Sequence, residues 1–148
     1  MGTEFEALKR SSWLQLLFKT ARLAEERALD QIRQEIGVPG LRRAHMALLP
    51  HIDFAGTRLT QVAESLGVRK QSAATLVEDL VVWGMLERVP DPADGRAKLI
   101  RFAGGEDELK KGMGRLLAFE RTLAARLGSD SAETLHSSLL RLEAILTQ

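Results

Sequence analysis

The chain has 148 residues, 45% of them hydrophobic, and no cysteine, with 21 Lys and Arg against 20 Asp and Glu for a net charge of +1. This is one domain, or one domain with helical extensions, with enough chain to bury a core and no disulfide or thiolate metal site. No apolar run approaches the roughly 20 residues of a membrane span, and the N-terminus lacks a signal-peptide pattern, so the cytoplasm is the expected address.

In chain order, the first expected element is a helix from about Phe5 to Glu35. Leu14, Leu17, Ala21, Ala24 and Ala28 repeat at alternating spacings of three and four, a narrow seam suited to another helix. A second helix is expected over Leu41–His51, started after Pro39 and ended near Pro50. His45 and His51 are six apart with Pro50 between them, so they do not share a helix face as a metal pair would.

Two helices joined by a tight turn follow over residues 59–82. Ala63 is the small residue at which two helices cross, and Gly67 tolerates the positive φ that ends the first helix. Leu59, Val62, Leu66, Val68, Ala73, Leu76, Val77 and Leu80 fall inward. Arg69, Lys70, Gln71, Ser72 and Thr75 fall at the start and along the outer face of the second helix. Gly84 closes that helix, and Met85, Leu86 and Val89 suit a short strand. The turn formers Asp91–Arg96 and a return strand Lys98–Phe102 complete a hairpin with a charged tip. Arg96 and Lys98 sit where a wing would reach a phosphate backbone or a minor groove, with Asp94 placed to hold the Arg96 guanidinium.

Beyond the hairpin, Leu109, Met113, Leu116, Leu123 and Leu127 make another stripe. Gly128-Ser129-Asp130 breaks it, with Ser129 or Asp130 as the next N-cap. Leu135, Leu139, Leu142 and Leu146 form the last stripe. These seams either pack within one subunit or bury themselves against a second copy. A reading module of about 65 residues does not need three long helices with spare apolar seams, which favours the second copy.

Residues 59–103 resemble the winged helix-turn-helix of the MarR family of bacterial transcriptional regulators. The likeness is carried by LTQVAESLGV (59–68), KQSAATLVEDL (70–80), WGMLER (83–88) and DPADGRAK (91–98), above all by the Asp94-x-Arg96 of the wing. The resemblance implies a mainly α fold: a winged helix-turn-helix with long N- and C-terminal dimerisation helices. The expected parts are 1–38 as an N-terminal dimerisation helix, 39–103 as the DNA-binding module and 104–148 as C-terminal dimerisation helices. It further implies a homodimeric regulator on a palindromic operator, usually released by a small-molecule effector, with no cofactor and no membrane partner. In the resembled family the helix at 41–51 walls a crevice, for which Trp13, Arg42, His45, Met46 and His51 are the expected lining residues. Thr75, Asp79 and Gly95 stand where relatives often carry a basic residue, which thins the positive surface.

Two other functions compete. An enzyme would need a catalytic constellation. The serines lack a nucleophile elbow, and Gly104-Gly105 and Gly112-x-Gly114 do not follow a strand in a phosphate-binding pattern. A winged helix used for protein–protein contact would show exposed apolar residues on the outer face of its second helix, where this chain is polar.

Overall fold

The structure is a computed structural model that describes residues 2–148. The chain divides into two compact units, residues 1–109 and residues 110–148.

The first unit opens with two helices where the sequence suggested one. α1 spans Gly2–Ser11 and α2 spans Trp13–Ile36. Ser12 interrupts them with extended backbone, and its hydroxyl accepts from the Gln15 N–H at 3.3 Å. That is an N-cap: the serine oxygen satisfies an orphan donor of α2, and the continuous helix is lost. α2 ends at Gly37, whose φ of +68° only glycine adopts without cost. No residue of α1 is buried, and on α2 only Leu29 is.

α3 covers Arg43–Leu48 and runs into a short 3-10 turn, Leu49–His51. The expected helix over 41–51 is thus shorter and tightens at its end, where Pro50 removes an α-helical donor. The helix pair follows as α4 (Leu59–Leu66) and α5 (Lys70–Val82). Between them Gly67 is left-handed at φ +68°, and the Val68 N–H returns to the Ala63 carbonyl at 3.1 Å. Ala63 and Ala73 are both buried, so small side chains line the close approach of the two helices.

The wing consists of β1 (Leu86–Asp91) and β2 (Asp94–Phe102), antiparallel, with Leu86 opposite Phe102 and Pro90 opposite Lys98. The return strand begins at Asp94 rather than Lys98, because Asp91 pairs with Asp94 directly across the Pro92-Ala93 tip. The register shifts at the Pro90–Asp91 step, so Gly95, Arg96 and Ala97 bulge from β2. Thr57, just before α4, bridges to Ile100 by reciprocal hydrogen bonds of 2.8 and 2.9 Å, lending β2 a second, single-residue neighbour. The core gathers around Leu41, Leu48, Val62, Val77, Leu80, Leu86 and Ile100, so helices and wing share one apolar centre. This is a mainly helical winged helix.

α6 (Gly105–Leu127) and α7 (Ser129–Leu146) complete the chain. α7 is capped at Gly128, one residue before the expected Ser129 or Asp130, because the Gly128 carbonyl already accepts from the Ala132 N–H at 2.9 Å. Neither helix holds a buried residue. Met113, Leu127, Leu140, Ile145 and Leu146 are each more than half exposed. Among the described residues no helix is long and apolar enough to cross a membrane.

Candidate nucleic-acid interface

The start of α5 has no side-chain cap and no acidic residue in its first turn. Its free N–H groups and dipole therefore leave a positive end that suits an anion. Arg69, Lys70, Gln71, Ser72 and Thr75 are all exposed there. The Thr75 hydroxyl donates to the Gln71 carbonyl one turn back at 3.1 Å, so its oxygen still has lone pairs to offer.

Arg96 sits in the wing bulge and Lys98 just after it, both exposed. Asp94 braces the wing differently from the sequence expectation. Its carboxylate accepts the backbone N–H of Arg96 at 3.1 Å, not the guanidinium. This is the two-residue Asx geometry that shapes a turn, and it leaves the Arg96 charge free to project. A groove of about 350 Å³ lies between the helix pair and the wing; Arg58, Lys70, Arg88 and Lys98 line it over Val77 and Ile100.

Between Arg58 and Arg101 seven Lys and Arg stand against six Asp and Glu, a near-neutral balance that resolves once the ion pairs are placed. Arg58 donates through Nε and Nη2 to one oxygen of buried Asp91, at 3.0 and 2.7 Å. The other Asp91 oxygen accepts the Ala93 N–H at 2.9 Å. The Ala93 N–H first, and then Arg58, hold the Asp91 carboxyl below its ordinary value of 3.8, and Asp91 in turn raises Arg58. Arg88 meets Glu78 at 2.8 Å and Arg101 meets Glu87 at 2.6 Å. Three of the seven cations thus brace the wing against the helices or its own strands. Among the described residues, Arg69, Lys70, Arg96 and Lys98 have no acidic partner within ion-pair distance. The cations left over are those at the start of α5 and on the wing.

The expected effector-lining residues differ in exposure. Trp13 is exposed at the start of α2, Arg42 and His51 are exposed, and Met46 packs half-buried against the core. His45 is fully buried, a correction to its expected place on an open crevice wall. Its Nδ1 accepts the Arg42 N–H at 2.9 Å, its Nε2 meets Asp79 at 2.8 Å, and its ring stands edge-on to Trp83 with centroids 4.8 Å apart. Those three contacts explain why a polar ring is stable in the core. Sequence reasoning missed the Arg58–Asp91 and His45–Asp79 pairs, which join residues more than thirty positions apart.

Comparison with known proteins agrees with this geometry. Residues 40–97 match the sequence model of the MarR family. No curated protein matches the chain. Among solved structures, a transcriptional regulator of Thermotoga maritima is 26% identical, with a TM-score of 0.59 over 90% of this chain and 95% of that one. A probable transcriptional regulator of Pseudomonas aeruginosa is 25% identical, with a TM-score of 0.54 over 83% and 93%. A point mutant of MepR from S. aureus, solved bound to an oligodeoxyribonucleotide, shares the fold at 16% identity, with a TM-score of 0.58 over 91% and 98%.

Proposed function

We propose, from the match of residues 40–97 to the MarR family, that this chain is a transcriptional regulator that reads a palindromic operator as a homodimer. The observation that carries the reading is the sorting of charge, which leaves Arg69, Lys70, Arg96 and Lys98 unpaired at the start of α5 and on the wing. In each protomer α5 enters a major groove. Gln71, Ser72 and Thr75 meet base edges there, while Arg69 and Lys70 hold phosphate or guanine. Arg96 and Lys98 follow the adjacent minor groove or its phosphates, on a turn shaped by Asp94. The MepR structure with bound oligodeoxyribonucleotide supports the use of this fold on DNA.

Residues 1–38 and 104–148 form the dimer. The exposed apolar residues of α1, α2, α6 and α7, among them Phe5, Leu8, Trp13, Phe18, Leu140 and Ile145, support this, since a lone chain would leave them in water. A small-molecule effector then weakens DNA binding by favouring a dimer conformation that fits the operator less well, which requires unequal affinity for the two conformations. Of the five residues expected to line its site, Trp13, Arg42, Met46 and His51 retain some accessibility in the single chain.

Selection of duplexes from a random pool at two salt concentrations tests the reading. The expected product is a palindrome with half-sites about one helical turn apart, 10–10.5 base pairs between centres. Gln71→Ala should shift the preferred sequence, at a cost of about 1–3 kcal/mol if Gln71 makes a bidentate base contact. No enrichment by the wild-type protein would overturn the proposal and return the winged helix to a protein-contact role.

A further inference from the structure

One chain of hydrogen bonds crosses the first unit from α2 to α5. Arg33 Nε on α2 donates to the Leu41 carbonyl at 2.5 Å. The N–H of that same peptide group, belonging to Arg42, donates to His45 Nδ1 at 2.9 Å. A ring nitrogen that accepts carries no proton, so the neutral imidazole keeps its hydrogen on Nε2. That nitrogen donates to Asp79 Oδ2, 2.8 Å away on α5. A cation starts the chain and an anion ends it, and every donor points the same way, so each bond polarises the next. The ring is fully buried and held edge-on by Trp83, so water does not compete for its nitrogens.

Asp79 stands one turn beyond Thr75 and two turns beyond Gln71 on the same helix. An anchor at Asp79 therefore fixes the rotation of α5 about its own axis, and that rotation sets where Gln71 and Thr75 point. It also gives a reason for an acidic residue on the reading helix, where it would repel phosphate.

We infer that His45 is a positioning residue for DNA reading, setting the rotation of α5 through the Arg33–peptide–His45–Asp79 chain. This rests on the proposed entry of α5 into the duplex. The decisive variant is Asp79→Ala, since Asp79 is partly exposed and its loss removes no apolar core side chain, although it leaves the buried His45 Nε2–H without its acceptor. Binding is measured on the labelled duplex that the wild-type protein enriches from a random pool, at a temperature where circular dichroism shows both proteins folded. Removing a negative charge beside DNA would by itself tighten binding. The chain instead predicts weaker binding, by about three- to tenfold, and poorer discrimination against a scrambled duplex. His45→Gln, which can still accept from Arg42 and donate to Asp79, should lose less than His45→Leu. Heteronuclear NMR of the wild-type imidazole nitrogens should show the neutral Nε2-protonated ring. Unchanged or tighter binding by Asp79→Ala, or the opposite tautomer, would overturn the inference while leaving the DNA reading intact. A wild-type protein that binds no duplex would overturn the reading itself, and the positioning role with it.

Discussion

Replacing Arg96 by Ala should lower the salt dependence of DNA binding by a countable amount. Among the described residues of the 58–101 stretch, four cations have no acidic partner, Arg69, Lys70, Arg96 and Lys98, hence eight in the proposed dimer. If each neutralises one phosphate, the slope of log K against log salt is about −7 for duplex DNA. Arg96→Ala removes two contacts from the dimer and should bring the slope to about −5, with a similar loss on every sequence. Arg88→Ala supplies the contrast. Its guanidinium is already held by Glu78 at 2.8 Å, so its removal releases one carboxylate for each cation lost and should move the slope less. The assay is fluorescence anisotropy of a labelled duplex over a salt series at constant pH. An unchanged slope for Arg96→Ala, or an equal drop for both variants, would refute the assignment of free and paired charge.

Two further outcomes concern stability. Leu80 is fully buried where α5 meets the core, so Leu80→Ala should cost about 2–5 kcal/mol, read as a lower urea midpoint at unchanged m. Asp91 has a folded-state pKa below its ordinary 3.8. Its contribution is therefore complete above that value and is lost as pH falls through the lower folded value. Between about pH 5 and pH 2 the wild-type protein should lose stability more steeply than Asp91→Asn, measured by urea unfolding at each pH.

The helix pair and the wing were legible because their signals are local. Ala63 and Gly67 mark a close crossing and a left-handed turn within five residues, and the turn formers of 91–96 mark a hairpin tip. The break at Ser12 has a local signal too: Ser12-Trp13-Leu14-Gln15 is an S-x-x-Q start signal, hidden by an apolar pattern that runs across it. The Asp94 brace was placed correctly in sequence and wrongly in chemistry, because two residues of separation suit a backbone N–H better than a long guanidinium. His45–Asp79 and Arg58–Asp91 were not legible at all. Their partners lie 34 and 33 positions apart, and nothing in local spacing shows which distant carboxylate a buried ring or a guanidinium will meet. The same blindness made the module look nearly neutral, since charges can be counted in a sequence but their pairing comes only with the fold.

A two-stranded sheet normally offers two open edges to any other extended chain. Here Pro90 sits in β1 and has no N–H to give a newcomer, while Glu87 and Arg88 of the same strand are committed to Arg101 and Glu78. On the far side, Thr57 already occupies Ile100 of β2. Both margins of the wing are thus poor templates for strand addition. Copies of this chain brought side by side would not zip together through their wings.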